Sequence, residues 1–243
     1  REAVADAHRA GGRNVRTPGD RPLPAARIAS DLGIIEQGGK ALPGDELDSM
    51  DEKQLDKATS EVSVYARVAP EHKLKIVESL QRQGNIAAMT GDGVNDAPAV
   101  KAADIGVAMG ITGTDVAKDA SDMILMDDRF TTIVYAVREG RRVFRNIQKV
   151  VSFLVADNVA QIVVLLTAVA LNWNAPLTAV LILWVNLAPA SLPALALGVE
   201  PASRHIMEHP PLPVNHLLDG PPAPRVTFHG VCIAAPAPLP SVH

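Results

Sequence analysis

Met89-Thr90-Gly91-Asp92-Gly93-Val94-Asn95-Asp96-Ala97-Pro98 decides how the first half of this chain is read. The run Ile86–Met89 leading into it is short and apolar, which predicts a buried strand, and a Gly/Asp/Asn loop follows. The carboxylates of that loop therefore fall at the carboxyl edge of a parallel sheet, where α/β proteins bind their ligands. Gly91 and Gly93 permit close backbone approach and unusual dihedrals. Asp92, Asn95 and Asp96 place two acids and an amide within five residues, a donor set for a hard cation that prefers oxygen. The loop does not complete a dinucleotide fingerprint, because position 96 is Asp rather than Gly.

Working outward, the neighbouring segments alternate between strand and helix patterns. Upstream, Val62–Val68 is a short β-rich run, and Pro70 opens a helix over Glu71–Gln83 with Leu74, Ile76, Val77 and Leu80 on its apolar side and Gly84 as its stop. Residues 41–60 are a polar, acidic connection with a short helix. Downstream, Asp104–Met109 and Met123–Met126 are further strands. Such alternation predicts a parallel sheet with helices on both faces. Asp127-Asp128 can cap the next helix, whose apolar side shows Phe130, Ile133, Val134 and Val137. Only Gly140 weakens it before Leu171, so a continuous helix would be ~40 residues and ~60 Å long at 1.5 Å per residue.

Charge and composition divide the chain further. Its 243 residues carry 23 Lys+Arg and 27 Asp+Glu, a net charge of −4. A nucleic-acid binder that neutralises many phosphates is excluded by that balance. The single cysteine, Cys232, excludes a disulfide framework and a cysteine-rich metal site. From Val150 to Ser203 there is no Lys or Arg, and the acids are Asp157 and Glu200 alone. Two apolar stretches lie there, Val150–Leu171 and Leu177–Val199, separated by a turn around Asn172-Trp173-Asn174. Each has the ~20 residues that cross a bilayer core; a pair of buried core helices is the alternative, though these are normally shorter and keep a charged face. Arg138, Arg141, Arg142, Arg145 and Lys149 before the first stretch and Arg204 after the second predict that both ends face the cytosol. Asp157, Asn158 and Gln161 fall mid-span, and the pairs 157/161 and 158/161 share a helical face. An acid inside the membrane defaults to a functional role, with an interhelical polar contact as its alternative. In the second stretch Asn186 precedes Pro189 and Pro193, which can unwind a helix and free carbonyls for ions. Nine of the nineteen prolines fall in 210–243, which reads as an extended or disordered tail.

The runs Ala66-Arg67-Val68-Ala69-Pro70-Glu71-His72-Lys73, Met89–Pro98, Ala103–Gly110, Ala117–Asp128, Arg141–Lys149 and Leu183–Pro201 together resemble the P-type cation-transporting ATPases, closest to their calcium-pump-like bacterial group. The resemblance extends over about residues 1–208. It implies the C-terminal part of a phosphorylation domain with a haloacid-dehalogenase-like α/β fold over 1–128. A stalk helix over 129–149, a two-helix transmembrane hairpin over 150–208 and the tail from 209 would follow. By the same resemblance Asp92 and Asp96 would serve a Mg²⁺ ion, Asn95 and Asp96 would orient phosphate and loop, and Lys73 would contact the transferring phosphoryl group. Arg67 would contact nucleotide, and Gly19-Asp20 would belong to a phosphate-binding turn. Asp157, Asn158, Gln161 and Asn186 would line the ion pathway. ATP would be the substrate of the complete pump, and the setting the plasma membrane. For Lys73 a solvated helix lysine is the plain alternative, and for Asp96 a structural turn carboxylate.

The sequence departs from that family in three places. Pro18 stands where the turn before Gly19-Asp20 carries threonine, removing a hydroxyl and a backbone N–H. Positions matching Gln161 and Ala190 are acidic in calcium-pump relatives, so calcium selectivity is not implied; a monovalent cation, a proton or lost transport are the alternatives. The nucleophilic Asp-Lys-Thr-Gly-Thr sequence does not occur, and no nucleotide-binding or actuator segment is recognisable. The expectation is therefore a pump fragment that does not turn over ATP alone, partnered by the missing nucleotide-binding, actuator and membrane segments. The alternative is a non-catalytic membrane-anchored module that binds Mg²⁺, phosphate or a partner.

Overall fold

The computed structural model describes residues 1–18, 21–36, 39, 41–172, 178–188 and 190–210. Gly19, Asp20, Trp173, Pro189 and the proline-rich stretch from 211 lie outside them. The described residues form two compact units, Arg1–Val137 with Met207–Pro210, and Arg138–Ile206.

The first unit alternates short strands and helices in the order α1 (Glu2–Arg9), α2 (Pro22–Leu32), β1 (Leu42–Pro43), α3 (Gly44–Leu47), α4 (Glu52–Glu61), β2 (Tyr65–Ala66), α5 (Pro70–Arg82), β3 (Ala88–Gly91), α6 (Ala97–Ala102), β4 (Ile105–Met109), α7 (Asp115–Asp119) and β5 (Met123–Leu125). All ladders are parallel. β1 pairs with β2, Arg16 bridges to Val64 beside it, and a separate sheet runs β3-β4-β5. The alternation of strand and helix dictates this, since parallel neighbours need a crossover between them.

Register in the larger sheet is fixed by carboxylates. Asp104, just before β4, accepts from the Ala87 N–H at 2.8 Å, and Asp122, just before β5, accepts from the Gly106 N–H at 2.8 Å. Each acid thus satisfies an amide at the start of the neighbouring strand, and Ala88 meets Ile105 while Val107 meets Met123. Gly91 is required at the end of β3: a Cβ there would lie 2.8 Å from Val100 Cγ2 and 2.5 Å from Asp96 Cβ, so α6 could not pack so closely.

Two small cores support the other half. Ala25 and Ala29 of α2 pack with Val64 and Ala66, and Leu47, Leu55, Tyr65 and Ile76 form the second cluster. Tyr65 is fully buried and donates its hydroxyl to the Val62 carbonyl, with burial pushing the phenol up to about 12. A polar network joins α4 to α5, in which Ser79 donates to Asp56 at 2.5 Å, Arg82 also donates to Asp56 at 2.7 Å, and Thr59 and Ser79 share a 2.7 Å hydrogen bond.

One strand expectation is corrected. Ile86 is 64% exposed and the strand begins at Ala88, with Ala88 and Thr90 also exposed. An apolar run signals capacity for burial, but among the described residues β3 pairs only with β4, so its other edge lacks a strand to cover it. The β-rich run 62–68 likewise contracts to Tyr65–Ala66, because its ladder partner β1 is only two residues long.

In the sequence that follows, α8 runs without interruption over Phe130–Ala170, 41 residues, as the absence of a breaker predicts. α9 (Ala179–Leu187) and α10 (Ser191–Gly198) follow, and Pro193 falls within the first turn of α10 rather than unwinding it. Phe130–Ala170 and Val180–Gly198 each contain an 18-residue stretch apolar enough to cross a membrane, of which only 17% and 6% is buried. Core helices of a protein in water would be largely covered, so bare apolar faces of this length favour lipid. At the end of the second unit, the buried Asn146 donates its amide to the carbonyls of Gly198 at 3.1 Å and Glu200 at 2.9 Å, and Lys149 pairs with Glu200 at 2.6 Å.

Candidate functional site

The acidic turn is built by the end of β3 and the start of α6. Asp96 N–H donates to the Gly93 carbonyl at 3.1 Å, closing the turn, and the Asp96 carbonyl accepts from Val100 at 2.8 Å, starting the helix. Asp96 is 7% exposed. Lys73, in the first turns of α5, reaches its carboxylate at 2.5 Å and is itself mostly covered. Asp92 and Asn95 are exposed. The Asp92 carbonyl accepts from the Thr114 N–H at 2.8 Å, which ties the turn to the loop after β4.

Lys73 is placed by its neighbour. His72 is buried, its Nδ1 accepts from the Ala69 N–H at 3.1 Å, and its Nε2 lies 2.8 Å from Asp48. Nδ1 acts as acceptor, so the ring proton sits on Nε2 and is donated to Asp48. That hydrogen bond holds the Asp48 carboxyl below its ordinary range. The start of α5 is thus fixed from two directions. Arg67, one residue past β2, is exposed, has φ of 52°, and donates its N–H to the Pro18 carbonyl at 3.2 Å. Pro18 therefore remains tethered although it has no N–H to give; Gly19 and Asp20 beyond it are outside the described residues.

Among the described residues no group of three or more His, Cys, Asp or Glu side chains converges on one point. Asp96 is already neutralised by Lys73, leaving the Asp92 carboxylate as the open oxygen donor of the turn. That set cannot cage Ca²⁺, which takes six to eight oxygens, but it fits Mg²⁺, which is commonly held by one or two carboxylates with water and a phosphate completing the shell.

In the second unit Gln161 Nε2 donates to Asp157 Oδ2 at 2.8 Å and to Asn186 Oδ1 at 3.1 Å. These three polar groups meet inside the apolar stretches. Asn158 does not join them: its amide donates to Leu154 O, four residues back on its own helix, at 2.8 Å.

Three residues of this neighbourhood receive no site role from the sequence: His72, Thr114 and Asp128. His72 stands inside the quoted 66–73 run, and a His three residues after the residue preceding Pro70 is a recognisable cap position. Thr114 and Asp128 act through contacts that carry no periodic signal.

Carboxylates elsewhere in this unit make it acid-sensitive. Asp56 is held below the ordinary range by Arg82 and then Ser79. A carboxyl depressed on folding contributes stability above its unfolded pKa, near 3.9, and that contribution disappears as pH falls through the lower folded value. Urea midpoints should therefore drop below about pH 4, and Asp56→Asn should flatten that drop. Parallel curves for both proteins would contradict the assignment.

The haloacid dehalogenase-like hydrolase family matches residues 1–104, and the family described as cation transporting ATPase, C-terminus, matches residues 174–237. Calcium-transporting ATPase 1 of Bacillus cereus is 46% identical over 233 residues, 96% of this chain and 26% of that protein. Human calcium-transporting ATPase type 2C member 1 is 47% identical over 193 residues, 79% of this chain and 21% of its own length. P-type sodium-transporting ATPase4 of Toxoplasma gondii is 47% identical over 225 residues, 88% of this chain and 17% of its own. The chain spans about a quarter of the length of the first curated relatives it matches.

Proposed function

We propose, for a chain that belongs to the P-type cation-transporting ATPases, that its first unit supplies the Mg²⁺- and phosphate-facing half of a phosphorylation site and its apolar helices part of a membrane ion pathway. The observation that carries this reading is the turn itself: Lys73 and Asp96 joined at 2.5 Å, with exposed Asp92 four residues before Asp96, at the end of a strand whose second edge is open among the described residues.

Phosphoryl transfer spreads negative charge over equatorial oxygens, so catalysis is mostly positioning and charge stabilisation. Mg²⁺ held by Asp92 would neutralise part of that charge. Lys73 supplies an ammonium restrained by Asp96 and aimed by His72, which lowers the cost of reorganising it during reaction. Asn95, exposed one residue before Asp96, would orient the phosphate with its amide. The acyl-phosphate aspartate that covalent catalysis needs is not provided by an Asp-Lys-Thr-Gly-Thr sequence in these residues. It would come from a strand outside them, pairing along the open edge of β3.

In the membrane, Asp157, Gln161 and Asn186 form the polar cluster a cation would meet, with Asn158 facing its own backbone. One acid and two amides suit a weakly charged site better than a calcium cage, and relatives named for calcium and for sodium bracket the choice. Flanking cations from Arg138 to Lys149 support a cytoplasmic position for the first unit.

The test is a Mg²⁺ titration of the isotope-labelled chain in lipid nanodiscs, with Mn²⁺ as a paramagnetic stand-in. Amide signals of 91–96 should shift with Mg²⁺ and broaden with Mn²⁺, and Asp92→Asn should weaken the response about tenfold, or 1.4 kcal/mol. Signals indifferent to both ions would defeat the reading.

A further inference from the structure

Asp128 holds a conformation that few residues other than glycine adopt, with φ of 51°. Its carboxylate accepts three hydrogen bonds from one short loop: the Ile111 N–H at 3.0 Å, the Thr112 N–H at 2.8 Å and the Thr112 hydroxyl at 2.8 Å. Burial pushes this carboxyl upward, yet those bonds outweigh it and hold it below the ordinary range. Asp127 beside it does something else, accepting from the Arg129 N–H and the Thr132 hydroxyl at the start of α8.

The same loop touches the acidic turn at its other end, where Thr114 N–H donates to the Asp92 carbonyl at 2.8 Å. Its near end is pinned by Gly110 N–H to the Leu125 carbonyl at 2.8 Å. From the Asp92 backbone to the first residue of α8, Phe130, the path is therefore Thr114, the 110–114 loop and Asp128, each step a hydrogen bond or a covalent neighbour. Strained backbone persists only where surroundings over-determine it, and it clusters in segments that switch. Here what over-determines it is a loop that grips the proposed ion-binding turn.

We propose that Asp128 is a positioning residue that couples the Asp92 turn to the first turn of α8 through the 110–114 loop. This rests on the reading of Asp92 as a Mg²⁺-holding group. When the Asp92 carboxylate takes up a cation its backbone shifts, Thr114 follows, and the loop carries Asp128, two residues before the helix, with it.

The experiment compares wild type, Asp128→Ala and Asp128→Gly as full chains in lipid nanodiscs, titrated with Mg²⁺ and read by amide shifts and hydrogen exchange. Asp128→Gly relieves the backbone strain while removing the carboxylate, so it guards against a variant that fails to fold. In wild type, signals of 91–96 and of 130–133 respond with one midpoint. In both variants the 91–96 midpoint should stay within about twofold while the response at 130–133 falls about fivefold. Asp128→Asn, which keeps one acceptor oxygen, should restore part of it. An undiminished response at 130–133 in either variant overturns the coupling. A wild-type chain whose 91–96 signals ignore Mg²⁺ overturns the Asp92 reading instead, and the coupling with it.

Discussion

Lys73→Met should lower the unfolding free energy of the first unit by about 3 kcal/mol, because it leaves the Asp96 carboxylate buried without its partner. Asp96 is 7% exposed at the N-cap of α6, so little water can replace the ammonium it loses. Most of that cost belongs to the stranded charge rather than to the pair. Adding Asp96→Asn to Lys73→Met should therefore recover at least about half of the loss, since replacing both members of a buried pair is often close to neutral. Urea unfolding of the two variants beside wild type measures both numbers. A single-variant loss under about 1 kcal/mol would mean that the pair behaves as a surface contact.

Gly113→Ala should be at least as damaging, for a steric reason. A Cβ at Gly113 would collide with the Met109 carbonyl oxygen and lie 2.9 Å from its carbon. Those atoms are backbone of β4, so no side-chain rotation can clear the space. Overpacking ordinarily costs about 1–3 kcal/mol, and an obstacle that cannot turn aside puts this substitution at or above the upper end. Thr114 is the next residue, so faster exchange of its amide, released from the Asp92 carbonyl, should accompany the loss. Wild-type stability and unchanged exchange in Gly113→Ala would show that the loop relaxes without disturbing the turn.

The parallel α/β arrangement was readable because it rests on local patterns. Pro70 and Gly84 bound α5 to within a residue of the expected span, and the runs at 104–109 and 123–126 became β4 and β5. The long helix was legible from an absence, since nothing between Phe130 and Ala170 interrupts it. Where the reading failed, the missing information was a partner. Ile86 has the side chain of a core strand, but burial depends on what lies across the sheet edge, and the run itself does not carry that. Asn158 shares a helical face with Gln161 yet bonds Leu154, because a short amide on a helix can reach its own carbonyls. Asp104, Asp122 and Asp128 bind amides sixteen to seventeen residues away in the chain. No period of 2 or 3.6 marks such pairs, so the amide each acid binds becomes visible only when the fold brings it near.

The fastening around Asn146 has a practical corollary for how this protein can be handled. Its two bonds run from a neutral amide to main-chain carbonyls, so no ionised group takes part, and added electrolyte has nothing to shield. The adjoining Lys149–Glu200 contact is exposed and ionic, and high salt erodes it. Strong brine during extraction should accordingly strip the outer stitch while the inner one keeps the end of α10 sewn to the long helix.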